Sequence, residues 1–267
     1  MHQSLSFIHP EAKIGNNVKI DSFVTIDKNV VIGDNTWIGP NVSIFSGARI
    51  GKNCKIFPGS VISAIPQDLK FAGEETTSEI GDNTVIREFV TINRGTRANW
   101  KTAVGNNCLI MAYVHIAHDS VVGNNCILAN AVTLAGHVLI DDYASIGGLA
   151  AVHQFVKIGA HCYISGGSLV RKDVPPYVKA AREPLSYVGV NSVGLRRRNF
   201  SNEQIQQIQD VYRWLYMKGM NISQSLQYIE KELPASKERD EIILFVRNSS
   251  RGIMKGYNNN KEEVDYD

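Results

Sequence analysis

Val104-Gly105-Asn106-Asn107-Cys108-Leu109-Ile110-Met111-Ala112-Tyr113-Val114-His115-Ile116-Ala117-His118-Asp119-Ser120-Val121-Val122 carries the pattern that decides the fold. Aliphatic residues stand at 104, 110, 116 and 122, six apart. The same phase runs through ten positions from Ile8 to Ile62, resumes at Ile80, Ile86 and Ile92, and continues through twelve from Val104 to Val170. The residue after the aliphatic is often glycine, as at Gly15, Gly33, Gly51, Gly105 and Gly123. Four residues after it comes a small or β-branched side chain, as at Ala12, Val18, Val24, Thr36, Ala48, Ser60, Val132 and Ala144. A period of six matches neither a 3.6-residue helix nor the two-residue alternation of a long strand. It matches short strands with a turn at each corner of a prism, three hexapeptides per coil, coils stacking at about the 4.8 Å strand spacing. Gly, Asn and Asp would serve the corners, where positive φ costs them little.

Two segments, about 63–79 and 98–103, lack the aliphatic rhythm and are expected to leave the solenoid as loops on one face. Pro175-Pro176 ends the pattern. The chain then divides into a β-helix over 1–190 and a small helical domain over 191–267. Ser201 and Gln204 read as a capping box, followed by an apolar stripe of Ile205, Ile208, Tyr212, Leu215 and Tyr216. A second helix is expected over about 222–232. A third would start at Pro234 with Ile242, Phe245 and Val246 on its apolar face, ahead of a polar tail expected to fray from about 255. The expected fold class is mainly β, a parallel β-helix followed by a small α-helical domain.

The net charge of +2 argues against a general nucleic-acid binder. The first residues lack a secretory pattern and no apolar run reaches a membrane span, so a cytoplasmic protein without stable membrane insertion is expected. Cys54, Cys108, Cys126 and Cys162 all occupy the small-residue position, differ by multiples of 18 and should form one buried, reduced column. They form no metal-binding pair.

Coil stacking also places the polar residues. His118, Gly136 and Gln154 share one column, Asp119, His137 and Phe155 the next, and Ala117, Ala135 and His153 the one before. His118, Asp119, His137, His153 and Gln154 should therefore converge on one patch, whereas His161 falls elsewhere in its repeat and reads as incidental. An imidazole suits general-base work at neutral pH, and Asp119 or a backbone group would fix its tautomer. Gly136, with no side chain to block its N–H, suits an oxyanion donor. No nucleophile elbow or patch thiol is present, which favours direct attack by an acceptor hydroxyl over a covalent acyl-enzyme. Arg196-Arg197-Arg198 suits a diphosphate or an acidic carrier surface.

The [Ile/Val/Leu]-Gly-x-x-[small]-x pattern resembles the hexapeptide-repeat superfamily, which implies left-handed coils; β crossovers in general favour the right hand. The strings Ile116-Ala117-His118-Asp119, Leu134-Ala135-Gly136-His137-Val138, Ala151-Val152-His153-Gln154-Phe155, Gln67-Asp68-Leu69-Lys70-Phe71-Ala72-Gly73-Glu74 and Asp173-Val174-Pro175-Pro176-Tyr177-Val178 resemble those of the UDP-N-acetylglucosamine O-acyltransferase family. The resemblance spans nearly the whole chain. It implies transfer of a 3-hydroxyacyl chain from acyl carrier protein to the sugar nucleotide, the first step of lipid A synthesis, in a homotrimer with clefts between subunits. It implies no cofactor beyond the donor's phosphopantetheine arm, and no metal. His118 would be the base and Gly136 N–H the oxyanion donor. His115, His137, His153 and Gln154 would line the cleft. Gln67, Asp68 and Lys70 would reach the sugar nucleotide, and Asn191, Arg197 and Arg198 the uridine diphosphate or pantetheine. Gly148 and Gly166 stack, and the resemblance makes them an open acyl groove suited to about 14 carbons or more. Two departures are Asn93, where relatives often carry His, and Arg182-Glu183-Pro184 in place of a commoner polar string. Competing readings are a three-histidine zinc enzyme, a sister N-acyltransferase, which usually has an N-terminal domain ahead of repeats that here begin at Ile8, and a non-enzymatic scaffold.

Overall fold

A computed structural model of the chain describes residues 5–216 and 219–256. Twenty-five short strands, from Phe7–Ile8 to Leu169–Val170, wind into three parallel sheets that form the faces of a prism. The result is a left-handed parallel β-helix. Every aliphatic residue of the six-residue series is the inward-pointing residue of its strand, and from Ile26 onward each is buried. Face A carries strands such as Thr91–Asn93, His115–Ile116, Thr133–Leu134 and Ala151–Val152. Face B carries Lys101–Val104, Val121–Val122 and Leu139–Ile140, and face C carries Leu109–Ile110, Ser145–Ile146 and Tyr163–Ile164. Each chain turn thus visits corners A–B, B–C and C–A in order.

Asparagine, aspartate and glycine serve the corners as expected, at Asp119, Gly47, Gly59 and Gly167 among others. The positive-φ residue sits three places after the aliphatic, and asparagine holds it at Asn17, Asn29, Asn35, Asn41, Asn53, Asn83, Asn107 and Asn125. The glycines directly after the aliphatic have ordinary φ and answer a different constraint. A Cβ on Gly33 would lie 2.6 Å from the Gly51 carbonyl carbon, and one on Gly105 2.7 Å from that of Gly123. These glycines let successive coils approach, whereas the turn position is shared by asparagines, by Gly47, Gly59, Gly167 and Asp119, and by larger residues such as Tyr113 and His137.

The first excursion is shorter than the expected 63–79, and the second lies a few residues earlier than the expected 98–103. Face A keeps Ser63 and Ala64 in strand Val61–Ala64, and face B regains the chain at Thr77–Ile80. The second excursion spans 94–100, because Lys101–Val104 pairs with Thr77–Ile80. Strand register jumps by 30 from Lys55 to Val85 and by 24 from Val85 to Leu109. The 12 and 6 residues beyond a normal coil add up to one coil of 18, which is why Cys54 stays in phase with the other cysteines. All four thiols are free and buried, and Cys108 Sγ donates to Gly123 O (3.1 Å) and Cys126 Sγ to Asp141 O (3.2 Å).

Beyond the last coil, Val178–Ala181 extends face C in parallel and hairpins back into antiparallel Ser186–Val190, an element the proline pair gave no sign of. Four helices follow: α1 (Ser192–Arg196), α2 (Asn202–Tyr216), α3 (Ile222–Glu232) and α4 (Lys237–Arg247). The α2 capping box forms as expected, Gln204 N–H donating to Ser201 Oγ (3.1 Å) and Ser201 N–H to Gln204 Oε1 (2.9 Å). Helix α4 does not start at Pro234: Ser236 caps it, its Oγ accepting from Arg239 N–H. Its buried face is Ile242, Ile243 and Val246, with Phe245 only half-buried. Lys255 and Gly256 belong to no frayed tail; they pair with Ser186 and Tyr187, returning the chain to the end of face C. The rest of the expected tail, 257–267, lies outside the described residues. No helix among the described residues is long and apolar enough to cross a membrane.

Candidate active site

His118 and Asp119 turn corner A–B between strand His115–Ile116 on face A and Val121–Val122 on face B. Asp119 takes the left-handed conformation (φ +60°), which asparagine and aspartate tolerate better than most residues. That turn folds its carboxylate back beside its neighbour's ring, and His118 Nδ1 lies 2.8 Å from Asp119 Oδ2. His118 is 5% exposed and Asp119 fully buried. One coil up, Gly136 packs against the imidazole, where a Cβ would stand 2.7 Å from His118 Cε1 and 2.8 Å from Nε2. Among the described residues the Gly136 N–H has no hydrogen-bond partner.

The column stacking holds. His137 N–H donates to His118 O (3.1 Å) and Phe155 N–H to Gly136 O (3.2 Å). The His137 ring stacks on Phe155 with centroids 4.6 Å apart and meets His118 edge-on at 5.1 Å. Its Nε2 lies 3.8 Å from Asp119 Oδ2. His153 and Gln154 stand exposed on the coil above, with His153 Nδ1 3.1 Å from Gln154 O. On the outer surface of face A, His115 Nδ1 lies 2.7 Å from Thr91 Oγ1. Burial and the neighbouring His118 lower the pKa of His115. Burial likewise lowers that of His137, against the pull of Asp119.

Asp119 is held below the ordinary carboxylate range although burial alone would raise it. The opposing causes are hydrogen bonds from His118, from the Thr96 hydroxyl and N–H, and from Asn99 N–H. Atoms of His118, Asp119 and His137 lie within 4.8 Å of one another, a spacing that could hold a metal ion. The Asp119 carboxylate, however, already accepts from Thr96 and Asn99, and its Oδ2 is in hydrogen-bond contact with His118. The set therefore fits a histidine–carboxylate pair better than a ligand cage.

A cavity of about 400 Å³ opens beside His137, lined by Asp68, Lys70, Glu74, Thr96, Arg97 and Ala98. The two excursions therefore form its wall. Gln67 is exposed and does not line it, whereas Lys70 N–H donates to Asp68 Oδ1 (2.9 Å). Asn93 is 3% exposed at the root of the first excursion; its Nδ2 donates to Ile65 O (3.1 Å), and its Oδ1 has no partner.

The other candidates occupy different corners. Asn191 caps α1, its Nδ2 donating to His161 O (2.9 Å), and Arg198 donates to Tyr143 O (3.1 Å) with its guanidinium over the Tyr143 ring. Arg197 ends α1 and is exposed. Tyr143 and His161 lie on corner B–C. His161 is not incidental: its ring is stacked between Tyr143 (4.8 Å) and Tyr177 (5.5 Å), with Phe200 edge-on, and so ties the prism to the helices. Gly148 and Gly166 lie on corner C–A; a Cβ on Gly166 would stand 3.0 Å from Gly148 O.

With this geometry established, comparison with known proteins places the chain. Models of the bacterial transferase hexapeptide match residues 11–45, 29–64 and 101–136, and a model of UDP N-acetylglucosamine O-acyltransferase, domain 2, matches residues 173–254. The acyl-[acyl-carrier-protein]–UDP-N-acetylglucosamine O-acyltransferase of Myxococcus xanthus is 42% identical over 249 residues, covering 93% of this chain and 96% of that protein. The chain belongs to the UDP-N-acetylglucosamine O-acyltransferase family. A solved structure of LpxA, a UDP-N-acetylglucosamine acyltransferase from Bacteroides fragilis, superposes with a TM-score of 0.94 at 55% identity, covering 96% of this chain and all of that one. The Francisella novicida UDP-N-acetylglucosamine acyltransferase follows at 0.92 and 41%, covering 96% and 94%. Within this acyltransferase framework, sequence reading missed Thr96, Asn99 and Glu74. None sits in the hexapeptide register, so coil arithmetic could not place them.

Proposed function

We propose that this chain transfers a 3-hydroxyacyl group from the phosphopantetheine thiol of acyl carrier protein to the 3-hydroxyl of UDP-N-acetylglucosamine, the opening step of lipid A biosynthesis. The family supports the reaction class. The observation that carries the mechanism is the buried His118–Asp119 pair packed against Gly136. With Nδ1 engaged by Asp119, Nε2 is the free nitrogen that accepts the sugar hydroxyl proton. The oxygen attacks the thioester carbonyl directly, and the tetrahedral oxyanion is held by Gly136 N–H. Collapse breaks the C–S bond, and the imidazolium returns its proton to the departing thiolate. Each His118 is thereby neutral again, with no covalent enzyme intermediate and no cofactor beyond the donor's arm.

The partition over three corners supports a homotrimer. One copy carries His118 on corner A–B, Arg198 and Asn191 on corner B–C, and Gly166 on corner C–A, a prism face apart from one another. Only neighbouring copies bring all three to one cleft. There Asp68, Lys70, His115, His137, His153 and Gln154 line the acceptor and donor space, Asn191, Arg197 and Arg198 bind diphosphate or pantetheine, and Gly148 and Gly166 leave room for a long acyl chain. Turnover of 3-hydroxymyristoyl acyl carrier protein with UDP-N-acetylglucosamine, beside its 3-amino analogue, tests the reading. An ester at the 3-hydroxyl supports it; transfer to the amine alone, or to neither acceptor, overturns it.

A further inference from the structure

The excursion over 94–100 has a role that its loop composition does not announce. Its base is pinned: Gly95 leaves no room for a Cβ, which would meet Lys101 N at 2.3 Å, and Thr76 Oγ1 donates to Gly95 O (2.6 Å). From there Thr96 and Asn99 close over the Asp119 carboxylate. Thr96 N–H (2.9 Å) and Asn99 N–H (3.1 Å) donate to Oδ1, and Thr96 Oγ1 lies 2.7 Å from Oδ2. Asn99 Nδ2 also donates to the Asp119 carbonyl (3.1 Å), and Asp119 N–H donates to Thr102 Oγ1 (2.8 Å).

The Thr96 hydroxyl accepts from Ala98 N–H (3.2 Å) and donates to Asp119 Oδ2. Two N–H donors at Oδ1 and one O–H donor at Oδ2 favour the ionised carboxylate, which then acts only as an acceptor. Its remaining contact at Oδ2 must then also be a donor, so His118 Nδ1 carries the proton and Nε2 is bare. We propose that Thr96 is a positioning residue: through Asp119 it selects the Nδ1–H tautomer of His118 and keeps the base ready. Thr96 does not touch the reacting atoms. The first excursion steadies the second, because Glu74 Oε1 accepts from Arg97 N–H (3.1 Å).

The titratable groups facing Asp119 are His118 and His137, with Asp68, Lys70, Glu74 and Arg97 across the cavity. The inference rests on His118 being the base, so its test needs one arm without turnover. In the full-length protein, ¹⁵N spectra of labelled histidine should show His118 with Nδ1 protonated and Nε2 bare. Thr96→Val should mix the tautomers, lower kcat roughly tenfold and move the low-pH limb of kcat upward by about one unit, with KM within about twofold. Thr96→Ala removes the same donor without the β-branch and should match it, whereas Thr96→Ser should restore tautomer, kcat and limb. Wild-type tautomer and pH limb in Thr96→Val and Thr96→Ala, or a Thr96→Ser enzyme as impaired as they are, overturns the proposal. A His118→Ala enzyme with undiminished kcat would instead remove the general-base reading, leaving the tautomer spectra to judge the loop alone.

Discussion

Replacing Gly136 with alanine should disable the enzyme while leaving its fold intact. The new Cβ would stand 2.7 Å from His118 Cε1 and 2.8 Å from Nε2, whereas carbon atoms rest at about 3.5–4.0 Å. The ring must retreat by roughly 1 Å. It cannot do so freely, because Nδ1 is 2.8 Å from an Asp119 carboxylate that Thr96 and Asn99 also hold. A shift of that size opens the pair past hydrogen-bond range and moves Nε2 off the sugar hydroxyl. Misplacement by about 1 Å costs on the order of 10²-fold in rate, or about 2.7 kcal/mol of barrier. Gly136 does not use positive φ, so alanine imposes no backbone strain. The assay is acyl transfer from 3-hydroxymyristoyl acyl carrier protein to UDP-N-acetylglucosamine, with Tm followed in parallel. A kcat about 10² lower at nearly unchanged Tm is expected. An alanine variant with kcat within about threefold of wild type would refute the tight packing of glycine on the base.

Two further outcomes follow from other corners. Gly166→Met should shift donor preference from 14 or 16 carbons toward 10, read from relative kcat/KM across a donor series; a wild-type preference for 10 carbons would show that the Gly148–Gly166 column does not set length. Burial lowers the pKa of His161 from 6.5 to about 4, so the fold prefers its neutral ring. The stability this gives is complete above pH 6.5 and is lost as pH falls toward about 4, because the unfolded chain takes up the proton first. Tm should decline across that window, and His161→Phe should flatten the decline.

The fold was legible because a solenoid turns sequence spacing into spatial position. Every aliphatic position from Ile8 to Val170 falls in a strand, and the Cys54 column survives both excursions because their extra residues happen to complete a coil. The stacking of His118, Gly136 and Gln154 was readable for the same reason. What spacing cannot encode is how corners of neighbouring copies would meet in the proposed trimer. Within one chain, Arg198 and Gly166 lie on other corners than His118. Spacing also says nothing of segments outside the register. Thr96 reaches Asp119 through a loop whose path is fixed by Gly95 and Thr76, contacts with no periodic signature. Glycine serves two constraints that spacing does not separate: beside an aliphatic, as at Gly33 and Gly105, it allows close coil-to-coil approach, and three places after one, as at Gly47 and Gly167, it takes the turn. The role of His161 escaped notice because its aromatic partners Tyr177 and Phe200 lie beyond the repeats.

The most direct measurement compares wild type with His118→Ala in acyl transfer from 3-hydroxymyristoyl acyl carrier protein to UDP-N-acetylglucosamine, with the assembly state of both determined by native mass. The account predicts an active trimer and a variant that stays trimeric while kcat falls on the order of 10²–10⁴-fold. A trimeric His118→Ala enzyme that turns over at the wild-type rate would contradict it.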